Sequence, residues 1–102
     1  MLASFSIVPV GSGSELKEHV ARVLDLIDRS GLDYRAGAMQ TTVEGGMEAV
    51  MELIMDCHKL MRQHSSRVLT SITIDDREGA EGRLSGKVSD MEKVLGRDLQ
   101  HE

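Results

Sequence analysis

Hydroxyl and carboxylate side chains recur at every second position of three short stretches, and they are the residues best suited to hold a small molecule. The stretches are residues 2–10, 39–45 and 67–77, and their polar positions are Ser4, Ser6, Gln40, Thr42, Glu44, Ser71, Thr73 and Asp75. A hydroxyl can donate and accept a hydrogen bond, whereas a carboxylate accepts one or balances a cation. The pattern therefore indicates a polar face that could bind a ligand.

Alternation with period two predicts that each of these stretches is a β-strand. In residues 67–77 the opposite phase consists of Val68, Thr70, Ile72 and Ile74, and we expect that face to be buried in the core. A further short strand is predicted at 33–36, before a turn at Gly37. Helical spacing of apolar residues predicts helices from a capping box at Ser12 and Glu15 to about 30, over 47–64 and over 84–95.

The resulting order, β-α-β-β-α-β-α, predicts an α+β fold of the ferredoxin-like type, a βαββαβ sandwich with an additional C-terminal helix. Right-handed crossovers would place the first strand between the third and the last. The polar phases of these three strands would then lie together. The 102 residues predict a single domain over 1–102, with a frayed tail at 97–102.

The composition excludes several classes of partner. The net charge is −5 and no run of Lys or Arg occurs, which argues against nucleic acid and membrane surfaces. No apolar run reaches membrane-spanning length and no leader segment is recognisable. The single cysteine, Cys57, cannot form an internal disulfide, which fits a reducing compartment. We therefore expect a cytoplasmic protein.

No arrangement of nucleophile, base or metal ligand is evident in the sequence. Cys57 and His58 are adjacent on a helix and do not share a direction, so a core thiol and a boundary histidine are predicted. His19 falls on a polar helix face, and no carboxylate or nucleophile is placed to complete a triad. We predict no catalytic residue, no metal site and no cofactor.

Three segments resemble the signature strands of the small thiamine-binding protein family. They are F-S-I-V-P-V-G at 5–11, M-Q-T-T-V-E-G at 39–45 and S-I-T-I-D-D-R at 71–77. The resemblance implies a ferredoxin-like fold, assembly into dimers and tetramers, and binding of thiamine or its hydroxymethylpyrimidine part without catalysis. It implies ligand-binding roles for Ser6, Thr41, Glu44, Ser71 and Asp75. Thr42 joins them as a polar-phase residue of the second segment.

The chain departs from the family pattern at three positions. Ser4 replaces a frequent acidic residue, Thr73 replaces a frequent Lys, and Gln40 replaces a small residue. Losing both members of a possible ion pair leaves no orphan charge, so we expect the fold to survive and the choice of ligand to change. Gln40 could narrow a pocket.

Two questions of function stay open at the sequence level. Thr41 has the phase of the helix-covered face, whereas the polar-phase residues point to the open face. The pocket therefore lies either on the open face of the sheet or between the sheet and the helices. The alternatives to a thiamine-binding carrier, buffer or sensor are an ACT-like domain that binds an amino acid and a small α+β-barrel enzyme. A narrow apolar seam at Leu84, Val88, Met91 and Leu95 predicts contact with another subunit, in a dimer or tetramer.

Overall fold

Four strands and three helices make up the computed structural model, which describes residues 1–11, 16–79 and 81–100. The strands are β1 (Leu2–Pro9), β2 (Asp33–Ala36), β3 (Thr41–Glu44) and β4 (Val68–Asp75). The helices are α1 (Leu16–Arg29), α2 (Met47–Arg62) and α3 (Arg83–Leu95). The predicted capping box at Ser12 and Glu15 lies outside the described residues.

The strands form one antiparallel sheet in the order β2-β3-β1-β4. β1 pairs with β3 on one side and with β4 on the other, which confirms the predicted central position of the first strand. Both βα units cross over on the same face, because a right-twisted strand leads the chain that way. The predicted ferredoxin-like α+β fold is confirmed.

The core lies between one face of this sheet and the helices α1 and α2. Apolar positions three and four residues apart on each helix face the inward phase of β1 and β3. The buried apolar side chains are Ala3, Phe5, Val23, Ile27, Val43, Val50, Leu53, Ile54, Cys57 and Met61. Cys57 is among those with no exposed surface, so its position agrees with the predicted core thiol.

The prediction that the apolar face of β4 is buried is wrong for half of that strand. Val68 and Thr70 are half-buried, but Ile72 is 37% exposed and Ile74 is 47% exposed. Their phase is correct, since they lie opposite Phe5 and Ala3 of β1. They are uncovered because β4 is the edge strand and α2 packs over only part of it.

The third helix lies on the other face of the sheet. It packs against β3 and β2, and its N-terminus is bound by Glu44, whose phase is opposite to that of the buried Val43. This face is therefore partly covered, and the sheet is open mainly over β1 and β4. Within α3, Leu84 and Val88 are half-buried while Met91 and Leu95 are exposed.

Candidate functional site

A row of hydroxyl groups crosses the open face of the sheet. Ser4 lies opposite Thr42 of β3 and Thr73 of β4, while Ser6 lies opposite Ser71. Opposing side chains on one face of an antiparallel pair are about 5 Å apart at Cβ. The structure thus brings together the polar phases of three strands, as the alternation predicted. Their role in binding stays a prediction.

Thr41 points to the other face. The β1–β3 register runs without a bulge from Leu2 opposite Glu44 to Phe5 opposite Thr41, so Thr41 shares the face of Phe5. There it lines a cavity of about 220 Å³, called here the α1 cavity. Its walls come from β1, from α1 and from the turn between β2 and β3, with Ser6, Gln40 and Thr41 as polar lining residues.

The shape and lining of the α1 cavity fit a small ring. Its apolar walls include Phe5, Ile7, Val23, Leu24 and Met61. Ligand pockets in proteins typically measure roughly 300–1,000 Å³, combine apolar walls with a few placed polar groups, and hold drug-sized molecules. A cavity of about 220 Å³ is below that range and has room for one ring and its substituents rather than for a large cofactor.

Glu44 has a structural contact that its position in the sequence did not indicate. Its Oε2 accepts the backbone N–H of Arg83 at 2.8 Å and its Oε1 accepts that of Leu84 at 3.2 Å. The first N–H groups of a helix have no partner inside it, and a carboxylate there also meets the positive end of the helix dipole. Glu44 therefore caps α3 and anchors it to the sheet.

A second cavity, here called the acidic cavity, lies at the Glu44 end of the sheet. It measures about 420 Å³ and is lined by Met1, Asp33, Glu44, Gly45, Gly46, Glu81 and Gly82. Asp33 is the cross-strand neighbour of Glu44. Asp75 is at the same end of the sheet, because Leu2 is paired with Glu44 on one side and Asp75 on the other. The acidic residues that line this cavity are Asp33, Glu44 and Glu81, and their carboxylates would attract a cation.

The six predicted ligand residues do not meet in one described cavity. Ser6 and Thr41 line the α1 cavity, Glu44 lines the acidic cavity, and Thr42, Ser71 and Asp75 line neither. Thr41 and Glu44 are three strand positions apart, about 10 Å, and point to opposite faces. The structure therefore separates a hydroxyl-lined apolar cavity from an acidic end of the sheet.

Gln40, which lines the α1 cavity, is bonded to Ser4. The Ser4 hydroxyl donates a hydrogen bond to Gln40 Oε1. These are two of the three positions that depart from the family pattern, and here they are bonded to each other. Gln40 still contributes to the wall of the α1 cavity. The narrowing expected from Gln40 stays a prediction.

The histidines were only partly predictable. His19 is 4% exposed rather than on a polar face, and its ring stacks on that of His64 with centroids 4.6 Å apart. Arg22 lies 3.3 Å from His64 Nε2. His58 on α2 contacts Thr70 of β4, with 2.6 Å between Nδ1 and Oγ1. These contacts tie α1 to the segment after α2 and α2 to β4, and none of the five residues lines the α1 cavity.

The thiol of Cys57 is unreactive in this fold. Burial, with a smaller contribution from the charge of Asp56, raises the pKa of its thiol to about 11. A thiol with so high a pKa is almost entirely protonated at neutral pH and is a poor nucleophile. In the described part of the chain, no three His, Cys, Asp or Glu side chains are grouped to hold a metal ion. None of the described helices combines the length and the apolar character needed to cross a membrane.

Comparison with known proteins gives relatives over nearly the full chain. A UPF0045 protein of Mycobacterium tuberculosis is 31% identical over 96 residues, which cover 93% of this chain and 94% of that protein. A UPF0045 protein of Staphylococcus xylosus is 30% identical over 95 residues, which cover 87% and 89% of the two chains. Both relatives therefore align with most of this chain.

Two solved structures with the same fold have more than 25% sequence identity to this chain. A candidate thiamine biosynthesis or salvage protein of Thermotoga maritima superposes with a TM-score of 0.77 at 28% identity, covering 88% of this chain and 96% of that one. A domain of unknown function from Bacillus cereus gives 0.77 at 27% identity, with 85% of each chain covered. The sequence profile described as "Thiamine-binding protein" matches residues 3–92. The chain therefore belongs to the thiamine-binding protein family.

Proposed function

We propose that this protein binds thiamine, or its hydroxymethylpyrimidine part, without catalysing a reaction on it. The observation that carries the proposal is the family match over residues 3–92. The structural neighbour from Thermotoga maritima, a candidate thiamine biosynthesis or salvage protein, supports the same ligand class. A carrier, buffer or sensor needs only such binding, and we propose one of these roles in the cytoplasm.

The pyrimidine ring would occupy the α1 cavity. An aminopyrimidine edge both donates and accepts hydrogen bonds, as does the hydroxyl of Thr41, and Ser6 also lines this cavity. The apolar side chains of β1 and α1 would contact the faces of the ring. The volume of about 220 Å³ supports entry of one ring while the rest of the ligand stays outside.

The thiazolium ring of thiamine is cationic, and the charge of this protein favours it. The net charge is −5 and three carboxylates line the acidic cavity. The charges of Glu44 and Asp75 would attract the cation toward this sheet, and Thr42 and Ser71 would provide hydroxyls on the open face. Attraction through solvent is screened by salt, so affinity for thiamine should fall with ionic strength more than affinity for the neutral pyrimidine.

Isothermal titration calorimetry with thiamine, hydroxymethylpyrimidine and a panel of amino acids tests the proposal. We expect saturable binding of the first two and none of any amino acid. Binding of an amino acid alone would support the ACT-like alternative and contradict the proposal. Recovery of unchanged thiamine after prolonged incubation with the protein would support binding without catalysis, whereas turnover would contradict it.

Assembly into a homo-oligomer is also part of the proposal. Val8 and Leu69 form an exposed cross-strand pair on the open face of the sheet, and Met91 and Leu95 are exposed on α3. Apolar surface of this kind on a small domain supports contact with a second copy. Light scattering at micromolar concentration should give the mass of a dimer or tetramer.

A further inference from the structure

We infer that an exposed apolar surface at the mouth of the α1 cavity contacts the thiazolium ring of thiamine, and that Met39 thereby favours thiamine over hydroxymethylpyrimidine. This surface, called here the apolar rim, consists of Leu16 and Val20 on α1 and Met39 between β2 and β3. The inference rests on the proposed function, since it requires that the α1 cavity holds the pyrimidine ring.

The rim residues are apolar and yet exposed to solvent. Met39 is 86% exposed, the highest value among the large apolar side chains in the described part of the chain, and Leu16 and Val20 are 43% and 39% exposed. Single exposed apolar residues are common on soluble proteins and need no explanation. Val20 and Met39, however, also line the α1 cavity. Their exposure therefore falls at the opening of a pocket.

Two walls of the cavity carry the rim. Leu16 and Val20 are four residues apart and therefore lie on the same side of α1, so the apolar strip continues from the cavity toward the start of the helix. In the turn after β2, the N–H of Gly37 donates to the carbonyl of Gln40 at 2.9 Å. This bond closes the turn, and Met39 lies at its tip with the longest apolar side chain of this wall.

The size of the cavity determines which part of thiamine reaches the rim. Thiamine joins an aminopyrimidine to a thiazolium ring through a methylene bridge, and the cavity of about 220 Å³ has room for one ring. With the pyrimidine inside, the bridge places the thiazolium ring at the mouth. Hydroxymethylpyrimidine ends at the position of the bridge and does not reach the rim. The two ligands therefore differ in their contact with Met39 and not in their contact with Thr41.

A thioether is well suited to contact a thiazolium ring. Methionine is unbranched and polarizable, and its sulfur packs favourably against aromatic rings at about 5 Å. Met39 can therefore turn onto one face of the ring while Leu16 and Val20 cover apolar parts of it, which removes apolar surface from water. Among the described residues that line the α1 cavity, none is charged. Close recognition of the second ring at this opening thus depends on surface contact and not on an ion pair.

The ratio of two affinities tests the inference. Isothermal titration calorimetry gives the dissociation constants of thiamine and of hydroxymethylpyrimidine for the wild type and for Met39→Ala. We expect Met39→Ala to weaken thiamine about 2- to 10-fold and to change hydroxymethylpyrimidine by less than about twofold. Thr41→Val should weaken both ligands by a similar factor, because it acts inside the cavity. The matched control is Met47→Ala, since Met47 is also exposed but lines neither the α1 cavity nor the acidic cavity.

Protection from oxidation provides a second measurement on the unaltered chain. Dilute hydrogen peroxide converts exposed methionine to its sulfoxide, and mass spectrometry of peptides gives the rate at each position. Saturating thiamine should slow the oxidation of Met39 several-fold and leave that of Met47 unchanged. Saturating hydroxymethylpyrimidine should protect neither residue.

The outcomes separate this inference from the proposed function. If the wild type binds thiamine but Met39→Ala binds it equally well, or loses both ligands by the same factor, the role of Met39 is overturned and the proposed function stands. Equal protection of Met39 by both ligands would overturn the role in the same way. A wild type that binds neither ligand would overturn both the proposed function and the inference. Circular dichroism of each variant verifies the fold.

Discussion

The carboxylate of Glu44 on β3 accepts the backbone N–H of Arg83 at 2.8 Å and that of Leu84 at 3.2 Å, at the start of α3. Gly82, the residue before this helix, has a positive φ of 65° and no side chain that could cap it. A distant carboxylate therefore does what a Ser or Asp does at the start of other helices. Glu44 thus combines the capping of α3 with the proposed attraction of a cationic ligand.

Glu44→Gln should weaken the attachment of α3 to the sheet. The amide retains one acceptor oxygen but loses the charge that meets the helix dipole, so we expect the free energy of unfolding to fall by about 1 kcal/mol. Urea unfolding followed by circular dichroism measures it. Asp33→Asn is the matched control, because Asp33 is the exposed cross-strand neighbour of Glu44 and caps no helix in the described contacts. An equal loss in both variants would mean that general charge, and not the cap, is responsible.

The location of the ligand can be decided with two hydroxyl deletions. Thr41→Val removes a hydroxyl from the α1 cavity at almost constant volume, whereas Ser71→Ala removes one from the open face. A neutral hydrogen bond contributes about 0.5–1.5 kcal/mol, so we expect Thr41→Val to weaken thiamine binding about 2- to 10-fold and Ser71→Ala to have less effect. Calorimetry gives both constants. The reverse order would place the ligand on the open face.

The buried thiol predicts a stability change at alkaline pH. The pKa of Cys57 is raised from 9.0 to about 11, so the protonated thiol of the folded state is fully stabilising below pH 9. Between pH 9 and 11 the unfolded chain loses this proton first, and stability falls. The Tyr34 hydroxyl, whose pKa is raised mainly by its hydrogen bond to Asp28, also titrates at high pH.

The Cys57→Ala variant distinguishes the effect of the Cys57 thiol from that of the Tyr34 hydroxyl. It should cost about 1 kcal/mol at pH 7 and leave thiamine affinity nearly unchanged, because the thiol fills the core and lines neither cavity. Its melting temperature should then decline less between pH 9 and 11 than that of the wild type. Parallel declines would show that Cys57 is not the group responsible.

The two adjacent glycines after β3 should respond differently to a methyl group. A Cβ at Gly45 would lie 3.0 Å from Leu32 Cδ2 and 3.4 Å from Val50 Cγ2, whereas one at Gly46 would meet nothing within 4 Å. We expect Gly45→Ala to cost about 1 kcal/mol or more through overpacking and Gly46→Ala to lie within about 0.5 kcal/mol of the wild type. Thermal melts of the pair would show the difference, and equal melting temperatures would contradict it.

The fold was predictable because local and global signals agree in this chain. Alternation placed Ser4, Ser6, Thr42 and Ser71 on one face, and the crossover rule placed β1 between β3 and β4. The polar row on the open face follows from these two facts alone. The exposure of Ile72 and Ile74 was not predictable in this way, because periodicity reports the face of a residue but not how far a helix covers it.

The site was less predictable because its residues come together through long-range contacts. The capping of α3 by Glu44 joins positions far apart in the sequence, and the partner groups are backbone N–H groups that carry no sequence signal. The stacking of His19 on His64 likewise depends on where α1 and α2 meet. The α1 cavity forms at the turn between β2 and β3, whose position relative to α1 no local pattern specifies.

The central position of β1 has a consequence for synthesis on the ribosome. β1 emerges early, yet its longest partner is β4, which pairs Leu2 with Asp75. The sheet therefore cannot be completed until the nascent chain extends to Asp75. Until then, Phe5 and the other apolar residues of β1 have no β4 strand to pair with. Contacts between residues so far apart in the chain also slow folding after release. Slow translation of the segment between α2 and β4 would thus lengthen the time during which chaperones can bind β1.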